Sequence, residues 1–197
     1  MRISISDGNT KMGKVPSVSL TPCVSCAKDA PCRKRCYILK AFRMYEATRK
    51  AYRSNLTAYR RNPSGYFAAI DAYLNRKQSK YFRFHVGGDC PDAKYMLHVV
   101  AMASKHPNTT FLLFTKRYQW VSDIMDKMSL PSNLSIVLSA WPGYDMHNPH
   151  GLPVAWMQDG TETRVPDTAL PCPGNCETCG LCFKLAATGC DVVFNAH

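Results

Sequence analysis

The chain has 197 residues, of which 46% are hydrophobic, and it carries a formal net charge of +11 at pH 7. This length suits one domain with a buried core, and we expect a single domain over residues 1–197. The sequence has no apolar run of about 18 residues, which excludes a transmembrane helix, and it starts without the apolar core of a signal peptide. We therefore predict a cytoplasmic protein, in which ten cysteines favour metal ligands over disulfides.

The positive charge is concentrated in one block of the chain. Residues 28–80 contain fourteen Lys or Arg and three acidic residues, a net +11, whereas residues 1–27 carry +2 and residues 81–197 carry −2. Such a block is typical of a surface that meets an anionic partner, and nucleic acid is one candidate. We favour two other interpretations, a solvated helix face and charge balance for an anionic metal cluster.

The first predicted strand spans residues 15–20, where apolar and polar residues alternate weakly. It leads into a loop rich in turn-forming residues that carries the early thiol group, Cys23, Cys26, Cys32 and Cys36. One buried cysteine would be unremarkable in such a loop. Four cysteines within fourteen residues indicate ligands of a metal centre.

A long helix is predicted after this loop, because apolar and aromatic residues recur at helical spacing along one face. The stripe consists of Ile38, Phe42, Tyr45, Tyr52, Leu56 and Tyr59. We expect this stripe to belong to the core rather than to a base-stacking surface. Asn62-Pro63 ends the helix, and Ser64 is the expected N-cap of a second helix.

Strands and helices then alternate. The strand at residues 81–86 runs into Gly87-Gly88-Asp89, and further strands are predicted at residues 111–115, 134–138 and 190–195. Asp159-Gly160 predicts a type I′ hairpin between residues 154–157 and 161–165. This rhythm predicts an α/β fold with a mostly parallel sheet of about five or six strands, as an open or partial (βα) barrel.

The late thiol group, Cys172, Cys176, Cys179 and Cys182, places four thiols within eleven residues. Its C-x-x-C-x-x-C spacing is typical of iron–sulfur ligation, because three closely spaced thiolates can bind one [4Fe–4S] cluster. Zinc is the alternative, although zinc-binding cysteine pairs usually stand about 15 residues apart. The fourth ligand is Cys172 or an early thiol, so the sequence allows one composite centre or two.

The carboxyl ends of parallel strands meet at one rim of a sheet, where ligands bind. Both thiol groups are expected there, as are Asn195 and His197 after the last strand. The candidate catalytic residues at this rim are His85, Asp89 and Lys116. The candidates for contact with a cofactor or small molecule are Gly87, Gly88, Asp89, Ser139 and Trp141. Each type of candidate has a structural alternative. His85 can be a core histidine, Asp89 a helix cap and Lys116 a solvated lysine. Gly87-Gly88 can be a tight turn and Trp141 an aromatic wall of the site.

These motifs resemble those of radical S-adenosylmethionine enzymes. Cys172-x3-Cys176-x2-Cys179 is similar to the three-cysteine signature of that family, and Gly87-Gly88-Asp89 resembles its Gly-Gly-Glu segment, which holds the methionine amino group. In the family the signature follows the first strand, where this chain carries the early thiol group. Cys182 is a further close thiol, and as a fourth ligand it would leave no iron open.

More of the chain resembles the tailed-phage family known as gene product eighty-eight. The similar segments are Cys26-x5-Cys32-x3-Cys36-Tyr37, Arg83 to Asp89 and Cys176 to Phe183. The resemblance implies a phage-encoded iron–sulfur protein with a partial barrel, located in the cytoplasm of the infected host.

Three functional hypotheses follow. The first is a [4Fe–4S] protein, with one cluster or two, that acts as a radical S-adenosylmethionine-like enzyme on a small molecule, with S-adenosylmethionine as candidate ligand. The alternative is a non-catalytic iron–sulfur protein for electron transfer, redox sensing or partner binding. A redox-active centre would also need a reductant protein. The weakest hypothesis is a zinc-binding module that binds nucleic acid through residues 28–80.

Overall fold

The computed structural model describes residues 2–195, and this part forms a mixed α/β fold. Its strands are β1 (Ile5–Ser6), β2 (Ser17–Val18), β3 (Tyr81–Phe84), β4 (Thr110–Thr115), β5 (Leu134–Ser139), β6 (Val154–Gln158), β7 (Leu170–Pro171) and β8 (Val192–Asn195). Its α-helices are α1 (Ile38–Met44), α2 (Glu46–Arg61), α3 (Pro63–Lys77), α4 (Ala93–Lys105), α5 (Tyr118–Met125), α6 (Cys176–Cys179) and α7 (Leu185–Thr188). None of these helices has both the length and the apolar composition that crossing a membrane requires.

The strands form one sheet in the order β1-β2-β3-β4-β5-β6-β8-β7. β1 is antiparallel to β2, and all other neighbours are parallel. The predicted α/β class and mostly parallel sheet are therefore confirmed. The predicted count of five or six strands is wrong, because the sheet has eight. β1 and β7 were missed, since two residues are too short for a periodic pattern. β6, predicted as one arm of a hairpin, joins the sheet instead.

The predicted hairpin at Asp159-Gly160 is also wrong. β6 runs parallel to both β5 and β8, and residues 161–166 form no strand. Asp191 fixes this arrangement, because its carboxylate accepts hydrogen bonds from Val154 N at 2.8 Å and from Trp156 Nε1 at 2.8 Å. A long-range contact with the last strand thus overrides a local turn signal.

The predicted long helix is broken into α1 and α2 at Tyr45. This residue has an extended backbone, with φ −105° and ψ 109°. Arg49 stabilises the break, since its Nη1 donates to the carbonyl oxygens of Phe42 at 3.4 Å and Arg43 at 2.9 Å. Tyr45 is consequently 58% exposed and leaves the predicted core stripe, whereas Leu56 and Tyr59 are buried as predicted.

The two faces of the sheet are covered differently. On β4, Phe111 and Leu113 face the larger core under the long helices, whereas Leu112 belongs to a second core on the other face. Met12 and Val15 from the N-terminal segment pack into that second core. Its remaining members come from β5, β6, β8 and the C-terminal segment: Val137, Ala155, Phe183, Leu185 and Val192. The alternation along β4 is the period of two that a strand imposes.

The N-cap of α3 provides a test of local stability. The side chain of Asn62, rather than that of Ser64 as predicted, accepts a hydrogen bond from Gly65 N at 2.9 Å. Asn62→Ala is expected to lower the free energy of unfolding by about 1 kcal/mol, because an orphan amide loses its acceptor. Ser64→Ala, a change at an exposed position in the first turn, should stay within about 0.5 kcal/mol. Urea denaturation measures both, and equal losses would contradict the assignment.

Candidate functional site

The early thiol group lies in the loop that follows β2, and all four of its cysteines are half-buried. Arg33 closes this loop, because its Nη1 donates to the carbonyl oxygens of Cys23 at 2.6 Å and Ala27 at 3.3 Å. Burial, together with the nearby Asp89, Cys32 and Cys36, raises the pKa of Cys26 to about 12. Cys26 is therefore close enough to Cys32 and Cys36 to interact with them, and without a metal ion its thiol is protonated at neutral pH.

The Gly87-Gly88 turn packs directly against the early thiol loop. Gly87 O accepts a hydrogen bond from Leu20 N at 3.0 Å. A Cβ added at Gly88, whose φ is +84°, would lie 2.5 Å from Ser25 Oγ and 2.7 Å from Leu20 O. Gly88 is needed for this close approach to the Leu20 backbone, whereas a Cβ on Gly87 would lie 2.7 Å from the Tyr52 ring. The space beside Gly88, predicted to receive a ligand, is thus taken by the thiol loop itself.

Asp89 ties the end of β3 to the end of β4. Its Oδ1 accepts hydrogen bonds from Cys90 N at 2.7 Å and Thr115 Oγ1 at 2.8 Å, and its Oδ2 accepts one from Lys116 N at 2.9 Å. Burial raises the pKa of Asp89, while these hydrogen bonds lower it. The cap of α4 is Asp92, whose side chain accepts from Tyr95 N. Asp89 therefore positions the backbone of Lys116 at the carboxyl rim.

His85 lies in the core below this rim. It is 2% exposed, has a left-handed φ of +64°, and its Nε2 is 3.0 Å from the Tyr95 hydroxyl. Its Nδ1 is buried without a hydrogen-bond partner. Burial, and secondarily the charge of Arg83, lowers the pKa of His85 to about 3. The imidazole is therefore neutral at physiological pH, as expected for the core-histidine alternative.

Lys116 lies at a groove on the carboxyl rim. The groove is open to solvent, has an empty volume of about 950 Å³ and is lined by Ala27, Asp29, residues 116–120 and residues 144–147. Lys116 Nζ is 5.7 Å from the centre of the Trp141 ring. Burial raises the pKa of Cys36, and the charge of Lys116 opposes this rise, so the ammonium group lies near the early thiols.

Arg117 holds the floor of this groove in place. Its Nε donates to Cys90 O and its Nη2 to Ser25 O, each at 3.0 Å, and its guanidinium lies 4.2 Å from the centre of the Trp120 ring. Ser139 contributes its carbonyl oxygen to the Tyr118 hydroxyl, and neither Ser139 nor Trp141 lines the groove. Asn195 is exposed in β8, and His197 lies outside the described residues.

The four cysteines of the late thiol group line one pocket. Its empty volume is about 300 Å³, and most other lining residues are apolar: Pro173, Leu181, Phe183 and Val192. Burial and the neighbouring Cys172 and Cys176 raise the pKa of Cys182 to about 12, against the opposing charge of Arg83. The late thiols thus share one pocket with mostly apolar walls that is partly open to solvent.

The late thiol group does not lie at the rim that was predicted for it. The Phe183 ring is 4.4 Å from that of Tyr81, the first residue of β3, and Cys182 O accepts from Ser135 Oγ at 2.8 Å near the start of β5. The late pocket therefore lies over a face of the sheet, whereas the early loop lies at the carboxyl rim. No early thiol lines the late pocket, so the described residues form two separate thiol groups.

A turn at residues 9–14, which the sequence analysis missed, clamps the late thiol loop. Lys11 O accepts from Cys176 N at 3.0 Å, and Lys14 N donates to Glu177 Oε2 at 3.0 Å. A Cβ added at Gly13 would lie 2.1 Å from the same Glu177 oxygen. Asp7-Gly8-Asn9 is a turn signal that could have indicated this element, although not its contact with the far end of the chain.

The two candidate metals require different spacings between their thiolate ligands. Four thiolates around one zinc ion lie about 3.8 Å apart, given Zn–S bonds of about 2.3 Å and tetrahedral geometry. Within residues 2–195, His85, Asp89 and Cys90 form the group whose three ligand atoms lie within 4.8 Å of one another. Neither thiol group brings three sulfur atoms that close together. A [4Fe–4S] cluster binds each thiolate to a different iron and so needs wider spacing.

A protein-family model described as Gene product 88 matches residues 4–169. The match includes the early thiol group, the Gly87-Gly88-Asp89 turn and Lys116, while the late thiol group lies beyond its end. No curated protein and no solved structure matches the chain.

The buried His85 predicts a pH dependence of stability. The unfolded chain binds a proton at His85 below pH about 6.5 whereas the folded chain does not, so stability falls as pH decreases from about 6.5 towards 3. Between pH 7.5 and 5, His85→Gln should remove about 2 kcal/mol of this loss in the free energy of unfolding. His147→Gln, at an exposed site, is the control. An unchanged pH slope in His85→Gln, measured by urea denaturation, would refute a neutral His85.

Proposed function

This chain belongs to the Gene product 88 family, and we propose that it is an iron–sulfur protein whose late thiol group binds a [4Fe–4S] cluster. The observation that supports this proposal is the pocket shared by Cys172, Cys176, Cys179 and Cys182. Thiolates are the donors that such clusters use, and apolar walls shield a cluster from solvent. A bound cluster would supply one-electron transfer.

The residues around the late pocket suit an anionic group. Arg83 is half-buried, its Nη1 lies 3.6 Å from Met12 Sδ, and its guanidinium stacks 4.8 Å from the centre of the Phe114 ring. Burial raises the pKa of Cys176, and the charge of Arg83 counteracts that effect. A fixed positive charge beside the thiols stabilises thiolates over thiols, which favours metal ligation.

We propose that the early thiol group binds a second centre and that a small molecule binds in the adjacent groove. The early group follows β2, the first parallel strand, and the Gly87-Gly88-Asp89 turn follows β3. That order resembles the arrangement in radical S-adenosylmethionine enzymes, which supports S-adenosylmethionine as the candidate ligand. The resemblance also implies that the sheet curves into a partial barrel.

Lys116 is the candidate catalytic residue with the strongest support in this enzyme. Its ammonium group lies between the groove and the early thiols, where it can bind a carboxylate of the small molecule. His85 is neutral and buried, and both oxygens of Asp89 accept hydrogen bonds. These contacts favour positioning roles for His85 and Asp89.

A non-catalytic electron-transfer protein is the second candidate function. It is favoured by the number of thiols in the late pocket, because four thiolates would leave no open iron for a substrate. In this case a reductant protein is the expected partner. The zinc-binding module is less well supported, since the thiol groups are wider than a single zinc ion requires.

Metal analysis of anaerobically purified protein tests the iron–sulfur proposal. We expect about four iron and four sulfide per occupied cluster. Cys182→Ala should lose the late cluster, and Cys36→Ala should lose only the early centre. Cys190→Ala is the matched control, since this half-buried cysteine does not line the late pocket and should keep all iron. Pale protein with stoichiometric zinc, or cysteines joined as disulfides, would contradict the proposal.

A spectroscopic experiment separates the two candidate functions. S-adenosylmethionine added to the reduced, anaerobic protein should change the electron spin resonance spectrum if an iron of the early centre is open. The change should vanish in Cys36→Ala and need a higher ligand concentration in Lys116→Ala, because the ammonium group no longer binds the carboxylate. An unchanged spectrum in the iron-loaded wild type would leave the electron-transfer function as the supported one.

A further inference from the structure

One surface of the protein exposes aromatic and apolar side chains among basic ones. Tyr37, Met44 and Tyr45 are 57%, 62% and 58% exposed. On α1, Lys40, Arg43 and Met44 lie opposite the buried Ile38, because residues two, five and six positions on point away from it. The basic–aromatic face is defined here by exposed residues of this surface: Lys34, Tyr37, Lys40, Arg43, Met44 and Tyr45.

The charge of this face is not neutralised by the protein. Residues 30–61 contain ten Lys or Arg and one acidic residue, Glu46. Glu46 pairs with Lys50 at 2.8 Å, and none of the ion pairs within residues 2–195 involves Lys34, Lys40 or Arg43. The positive surface continues along α2, about 24 Å long at 1.5 Å per residue. Its exposed basic residues are Lys50, Arg53, Arg60 and Arg61.

The exposed tyrosines are held by the fold. The Tyr37 hydroxyl donates a hydrogen bond to Val86 O, which orients the ring although more than half of the residue is exposed. Tyr45 is presented by the extended break between α1 and α2, which Arg49 stabilises. A ring oriented in advance, as that of Tyr37 is, loses little conformational entropy when a partner stacks on it.

We propose that the basic–aromatic face binds single-stranded nucleic acid. In this interaction Lys34, Lys40 and Arg43 contact phosphates, and bases stack on Tyr37 and Tyr45. Basic side chains along a strip with interspersed aromatic rings are the combination that single strands require. Bases in a duplex are already stacked and do not offer their faces to the tyrosines. The face contains no proposed metal ligand, and its members Lys40, Arg43, Met44 and Tyr45 lie beyond the early thiol loop in the chain.

Fluorescence anisotropy with a labelled oligothymidylate of about 16 nucleotides, the upper range of common site sizes, tests the proposal. The wild type should bind, with an affinity that falls linearly in a plot of log K against log salt. Lys40→Glu/Arg43→Glu should weaken binding more than tenfold and reduce that slope by about 1.4, the contribution of two phosphates. Tyr45→Ala should weaken binding about tenfold with an unchanged slope, since stacking is lost but no charge.

A matched variant controls for net charge. Lys94→Glu/Lys127→Glu makes the same change at two exposed lysines outside the face and should weaken binding less than threefold. Circular dichroism confirms that each variant is folded. The proposal is overturned if the control loses as much affinity as Lys40→Glu/Arg43→Glu. It is equally overturned if Tyr45→Ala binds like wild type, or if polyglutamate displaces the oligonucleotide at equal charge, which would point to an acidic protein partner.

Discussion

The contact on which the proposed site depends is the close packing of the Gly87-Gly88-Asp89 turn against the loop that follows β2. Backbone meets backbone there because Gly88 carries no side chain, and Ser25 Oγ accepts a hydrogen bond from Asp89 N at 3.2 Å. Asp89 then extends the connection to Thr115 and Lys116 on the next strand. One buried network thus positions the early thiols, the groove and Lys116, the candidate catalytic residue at this groove.

Burial raises the pKa of thiols and lowers the pKa of His85. It keeps the Cys26 and Cys182 thiols protonated and His85 neutral, so none of these three groups is a ready nucleophile in the protein alone. A metal ion reverses this effect for thiols, because its charge stabilises the thiolate. The two half-buried thiol groups are therefore chemically better suited to ligation than to covalent catalysis, and Arg83 and Lys116 supply positive charge beside them.

Strands with a strong local pattern were predictable, and contacts between distant segments were not. β3, β4, β5 and β8 coincide with apolar runs, and the thiol groups are visible as cysteine spacing. The break at Tyr45 depends on Arg49 reaching back to two carbonyl groups, which no hydrophobic period reveals. Similarly, Asp191 places β6 beside β8 although Asp159-Gly160 favours a hairpin locally. The position of the late pocket over a sheet face follows from packing of Phe183 on Tyr81.

The clamp of residues 9–14 on the late thiol loop has a consequence for assembly. Lys14 and Glu177 are 163 positions apart, so this hydrogen bond closes a loop that contains most of the chain. Contacts of such high sequence separation form late, since the loop-closure entropy must be overcome first. The late pocket is therefore complete only when both ends of the chain have met, and the cluster proposed for it would bind in the last steps of maturation. Cleavage between Lys14 and β2 would release the clamp and leave the early thiol loop intact.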